Sequence, residues 1–498
     1  MPNTVTRAAR SLGAAAIIST LAACSSSQAP SVTSKAETPG TADGFELVGH
    51  TALLNRGMNA APAFYDHYVY IGSRTDGQPQ HLEPGVQIVD VANPAAPIMV
   101  GQIPPTSVDP MLAVGYTSRE LRVWPDQGLL IVMYFGCSAI IHDCASGQDA
   151  GEQPFQQMAF FDVSGPNGAA PKLVSIYKPS RTPHEMFLWV DPVRPGRALL
   201  YWTSPNDSLK PLVVTDLSQW RTGVFPEIAS LNIVPKFTAD EQSKFDVRLH
   251  SIGVTPDGKR MYYAHLGGGF LVIDTSGLAD NAPAPKLHLV TPVANRAFWD
   301  YEGAHSSVKV PHSHYALTTE EIYGMGFNEA FGPAFGGCPW GWVRMIDITD
   351  ETRPKIVAEY KLAENETSFC ANVPAQQNDF SSYTSHNPTV LPDLAFVTWH
   401  SGGLQAIDLA HPAQPVRAGS FLPTPEPISV TADPALEPGS NNVIAWSYPI
   451  IHDGLIYFID VRNGLYIVRY TGVHADEVAQ IGFLEGNSNL GDAARLDH

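Results

Sequence analysis

Basic residues are scarce in this chain, with 30 Lys and Arg against 49 Asp and Glu over 498 residues and a formal charge of −19. Nucleic-acid binding depends on lysine and arginine neutralising phosphates, so this balance argues against a polyanion partner. Cysteine is also rare. There are five, and no two have Cys-x-x-Cys spacing, which weakens a structural zinc site built on thiols. No Gly-x-Ser-x-Gly elbow and no His-Glu-x-x-His helix occurs, so neither the common esterase nor the common zinc-protease arrangement is present, although a dispersed Ser/His/Asp triad stays open. The glycine run Gly267-Gly268-Gly269 joins two expected strands with no helix behind it, which excludes a phosphate loop. The apolar run Leu12 to Leu21 is too short to span a bilayer as a stable anchor.

Turn chemistry is plentiful, with 42 prolines and 41 glycines beside 44% hydrophobic residues. That mixture predicts a large core built from many short elements rather than long helices. One phrase recurs in which an apolar strand ends in aspartate. It is read at Asp90, Asp162, Asp216, Asp274, Asp347 and Asp408, with a degenerate seventh copy ending at Arg469. The best-resolved unit sets Leu394 to Trp399 and Leu404 to Leu409 on either side of Gly402-Gly403, the signature of a tight antiparallel hairpin. Each aspartate precedes a turn, where its carboxylate can accept backbone N–H bonds, and this predicts a structural role for all six. Units of about 60 residues that cannot bury their faces alone predict radial closure. The expected fold is all-β, a seven-bladed β-propeller of four-stranded antiparallel blades. Either Phe45 to His50 or Glu477 to Phe483 could supply the strand that closes the ring.

With these repeats, best kept at Leu271-Val-Ile-Asp274 and Gln87-Ile-Val-Asp90, the chain resembles the LVIVD-repeat family of exported bacterial and archaeal propellers. The resemblance covers roughly residues 45–485 and implies fold more than activity. Arg7 and Arg10, the apolar run and Leu21-Ala22-Ala23-Cys24 read as an export signal with a lipobox. Residues 1–23 would then be a lipoprotein signal peptide, Cys24 the lipidated first residue of a membrane-anchored envelope protein, 24–44 a flexible tether, 45–485 the propeller and 486–498 a C-terminal tail. An ordinary cleaved signal with an incidental cysteine is the alternative. In an oxidising compartment Cys137, Cys144, Cys338 and Cys370 read as two disulfides. Three pairings are open, and Cys137 with Cys144 and Cys338 with Cys370 close the shortest loops.

Blade alignment puts His184, His250, His305 and His386 at the starts of four consecutive innermost strands, converging on the mouth of the axial channel. Four neutral imidazoles suit one transition metal, copper, iron or zinc, with Glu120, Glu185 and Glu302 near in sequence as acceptors for their other ring nitrogens. The carotenoid-cleaving oxygenases are similar in plan and hold an iron with four histidines, but no motif of theirs is found here. The alternative is that each histidine bonds backbone at its strand start. The same face carries the long inserts, at 136–156 and 324–341. Arg119, Trp340, Trp342, His265 and His400 are candidate pocket-rim residues there, the tryptophans either walling a pocket or capping a blade. His452 falls on the opposite face. Two functions follow: an envelope-anchored scaffold whose insert-bearing face binds a protein or small molecule, or a metal-dependent oxidoreductase using the four histidines.

Overall fold

The computed structural model describes residues 29–34, 39–74, 83–103, 116–136, 157–205, 209, 211–244, 247–299, 304–322, 338–372, 382–427 and 443–497. Cys24, Cys137, Cys144, His142 and Glu302 lie outside them, as does most of both long inserts. Among the described residues the longest helix is Ala239–Lys244, and none is long and apolar enough to cross a membrane.

The strands form mainly antiparallel sheets in chain order, arranged as a β-propeller. One runs Met186–Val190, Ala198–Thr203, Leu212–Asp216, Glu227–Leu231, and the next Arg248–Val254, Arg260–Leu266, Gly269–Asp274, His288–Leu289. Sheets beginning at Ser306–Lys309 and Pro388–Val390 follow the same order. Residues 59–103 and 116–177 share one eight-stranded sheet, whose two halves pair, among the described residues, at Ser73 and Ser118. Second and third strands are buried on both faces, while an outer strand such as Ile98–Ile103 is exposed or half-buried up to its last residue. This pattern places the core between sheets. Phe187, Trp189 and Tyr201 of one sheet pack against Leu249, Met261 and Tyr263 of the next. Inner strands approach very closely near the axis. A Cβ on Gly253 would lie 2.2 Å from the Ser307 carbonyl oxygen of the neighbouring strand, which only glycine permits.

The N-terminal end closes the ring. Phe45–Thr51 pairs antiparallel with Gly464–Tyr470, and Asn59 N–H donates to the Val461 carbonyl at 2.9 Å. The alternating pattern at Glu477 to Phe483 does not make an outer strand. Its first part belongs to the helix Ala475–Ala479, and Phe483–Leu484 pairs instead with the inner strand Ala445–His452. Two stretches of the expected tether are also ordered. Ser31–Ser34 pairs parallel with the outer strand Lys355–Leu362, and Ala42–Asp43 pairs with Val416–Phe421.

The tail beyond 485 is packed as well. Ser488 bridges Leu188 in parallel, and Asn489 bonds Val190 and Pro256. The Asn487 side-chain oxygen, in the amide orientation that satisfies both partners, accepts from the fully buried Arg122 at 2.8 Å. The tail therefore packs on the inner strands toward the ends opposite the strand starts.

All six repeat aspartates do the turn work expected of them. Oδ1 of Asp90, Asp162, Asp216, Asp274, Asp347 and Asp408 accepts the N–H two residues on at 2.8–2.9 Å. At the degenerate copy, Arg469 pairs instead with Glu46 of the closing strand at 3.3 Å.

Candidate metal centre

Backbone bonds fix each histidine at its strand start. His184, His305 and His386 each donate N–H at 2.8 Å to the carbonyl of a threonine in their own sheet, Thr203, Thr319 and Thr398. The hydroxyl of each threonine then donates to the following sheet, at the carbonyls of His250, His386 and Ser447, at 2.5 to 2.9 Å. Backbone bonding and convergence of the rings are therefore parts of one arrangement.

The four rings form an arc. Centroids stand 4.8 Å apart for His184 and His250, 4.0 Å for His250 and His305, and 4.3 Å for His305 and His386. His400, expected at the rim, continues the arc 5.1 Å from His386 and is fully buried. Glu321 joins them. Its Oε2 lies 3.3 Å from His305 Nε2, and its Oε1 lies 3.2 Å from His386 Nε2 and 3.3 Å from His400 Nε2. His184 Nε2 faces His250 Nε2 at 3.1 Å. Trp446 stacks on His400 at 4.7 Å and walls this end, with Arg74 over its ring.

In two of the rings the other nitrogen is held by a serine. His250 Nδ1 meets Ser251 Oγ at 2.7 Å and His305 Nδ1 meets Ser306 Oγ at 2.9 Å, which leaves Nε2 of both rings directed at the cluster. The glutamates expected in this role do other things. Glu120 pairs with Arg122 at 3.0 Å, and Glu185 lies beside His184 and His250 as a further candidate donor. Backbone bonds hold Glu321 in place: its neighbours Glu320 and Ile322 are bonded by Ser382, Thr384 and Ser385, the hydroxyl run just before His386.

Burial sets the charge states. Loss of solvent pushes His184 and His386 down to about 3, and His250 and His400 also below their ordinary value, so these imidazoles are neutral. Burial alone would raise Glu321, but His386 and His305 outweigh it and hold the carboxylate well below its usual range. Glu185 is pushed well up by burial and by the nearby Glu120.

Neutral imidazoles around one carboxylate are the donor set of a first-row transition metal. Bond lengths of about 2.0–2.2 Å place neighbouring donor atoms roughly 3.0–3.4 Å apart, and the observed 3.1–3.3 Å separations fall in that span. Glu321 Oε1 and His305 Nε2 are buried without a hydrogen bond, although neighbouring donors stand this close. The residues therefore fit a metal.

The remaining candidates are structural. His265 is buried against Phe237 and Tyr263, and His452 stacks on Phe64 away from the cluster. Trp340, 2% exposed, packs on Phe369 and Tyr383, and Trp342, 7% exposed, receives Arg344 and Lys361. Neither ring opens on a rim, and both cap their blade. Cys338 and Cys370 form a disulfide with Cα atoms 5.4 Å apart, as the loop-length argument expects. Arg119 is buried near His184, where its charge adds to the lowering of that imidazole, rather than lying on the rim.

No protein-family model and no curated protein matches the chain. Among solved structures it is similar to Sqt1 of Chaetomium thermophilum, with 12% identity, 84% of this chain and 86% of that one covered, and a TM-score of 0.45. It is also similar to the periplasmic gluconolactonase PpgL of Pseudomonas aeruginosa, with 12% identity, 80% and 96% covered, and a TM-score of 0.44. These values carry nothing about what the site does.

Proposed function

We propose that this protein is an exported, lipid-anchored member of the LVIVD-repeat propellers, and that its channel mouth holds a transition-metal centre serving metal-dependent oxidoreductase chemistry. The observation that carries the metal reading is Glu321 between His305, His386 and His400, with His250 grouped beside it and His184 next to His250 at the end of the arc. Burying so many ionisable groups costs stability, and a scaffold that only presents loops has no use for them. Copper and iron suit a set of imidazoles with one carboxylate and also undergo one-electron change. The tail packed toward the far end leaves the insert-bearing face as the side from which a small-molecule substrate reaches the centre.

We count seven blades. Supporting this, the eight-stranded sheet divides at the Ser73–Ser118 pair into two four-stranded units, and separate cores lie between successive units around the ring.

Elemental analysis of residues 25–498, which contain every described strand, tests the metal reading. After expression with copper, iron and zinc available, at least one metal ion per chain is expected, with the content reduced in a folded His184→Ala/His305→Ala variant. Metal-free protein under those conditions would return the chain to the scaffold reading.

A further inference from the structure

We infer that the cluster is built for two metal ions, with Glu321 as the carboxylate that bridges them; this rests on the metal-centre reading and deepens it. Five imidazoles and the two Glu321 oxygens give seven donors, with Glu185 beside His184 as a further candidate, whereas a first-row ion in a protein takes about four to six. The donors also divide. Oε2 of Glu321 faces His305, which adjoins His250 and, through it, His184, while Oε1 faces His386 and His400. His250, His305 and Glu321 form one compact group, which His250 links to the neighbouring set of His184 and Glu185, and Glu321, His386 and His400 form another, each with donor atoms within 4.8 Å of one another. Glu321 is the one residue common to both. A carboxylate whose oxygens point to separate imidazole sets is the usual means of holding two ions about 3.5–4 Å apart.

The supporting framework follows the same division. Ser251 and Ser306 orient the rings of the first group through Nδ1. In the second group, Trp446 lies against both His386 and His400, 4.2 and 4.7 Å from their centroids. Glu321 and His400 also occupy the same place in neighbouring sheets, each two residues beyond the threonine that ends a second strand, Thr319 or Thr398. The arrangement that turns His400 inward is thus repeated one sheet earlier with a carboxylate.

Residues 25–498 are loaded with copper(II), desalted and assayed for metal per chain and by electron paramagnetic resonance. About two ions per chain are expected, with the signal diminished by coupling between them. Glu321→Gln removes the bridging charge and should lower the content to one ion or less, and His400→Ala should retain one ion with an uncoupled signal. Circular dichroism and a thermal midpoint verify that both variants fold. One ion per parent chain would overturn the pair while leaving the metal centre standing. No bound ion would overturn both. Two ions retained unchanged in a folded Glu321→Gln would show that Glu321 does not bridge.

Discussion

A ligand histidine coordinates well only if its second nitrogen is held, because a free ring rotates and its tautomer drifts. Here that role falls to two serines that directly follow their histidines, Ser251 and Ser306, rather than to distant carboxylates. Ser306 is itself fixed by Asn387 Nδ2 at 2.9 Å and by the Tyr448 hydroxyl at 3.3 Å, so the support runs across three inner strands. Ser306→Ala should weaken metal affinity by about 10–100-fold, the usual cost of losing such a partner, with the thermal midpoint of the metal-free protein little changed. Competition against a chelator of known affinity measures this. Parent-like affinity would show that the hydroxyl does not orient His305. The His-Ser dipeptides were visible in the sequence, and so was the convergence of four strand starts. Glu321 was not, because its side chain reaches the axis only through backbone bonds from Ser382, Thr384 and Ser385, some sixty residues away in sequence. The signal that could have found it is its register with His400 beyond Thr319 and Thr398.

The repeat aspartates behave as elements rather than as chemistry. Asp274 accepts the Ser276 N–H at 2.8 Å and its hydroxyl at 2.5 Å, closing the turn to the next strand. Asp274→Ala should lower stability by about 1 kcal/mol, the net worth of such a bond, and leave metal content unchanged. A folded variant that loses metal would contradict the division of labour between turn and centre. Asp162 is lowered by the Ser164 hydroxyl and N–H. In Asp274 and Asp347 burial works upward, but bonds from Ser276 and Thr349 prevail, so both are also lowered. Their folded values lie below the ordinary 3.8, so their contribution is complete above that pH and is lost as pH falls through the folded values. The denaturant midpoint should therefore drop as pH falls below about 4, less steeply in Asp274→Ala than in the parent. Equal slopes would assign the acid sensitivity elsewhere. These turns were legible because the bond spans two residues, so local pattern alone determines it. Closure was not, since Phe45–Thr51 and Glu477 to Phe483 alternate alike and only the packing of the ring chooses between them.

At the scale of the whole molecule, the channel has a chemical end and a structural end. The histidines stand at the strand starts, and the tail enters from the other side to reach Leu188, Val190, Pro256 and Arg122. Gly486 permits this passage, because a Cβ there would lie 2.1 Å from the Pro388 carbonyl oxygen. Arg122 is fully buried and divides its donors among Met186, Glu120 and the tail. Withdrawing the tail partner leaves a buried cation short of acceptors, which costs more than losing a neutral bond. Deleting residues 485–498 should thus destabilise the fold by about 3 kcal/mol and open a second route to the cluster. In folded truncated protein loaded with metal, a chelator should remove the ion faster than from the full chain, whereas Asn487→Ala, which keeps the tail in place, should show the stability loss without the faster release. Equal release rates in all three proteins would mean that the tail braces Arg122 without sealing the channel.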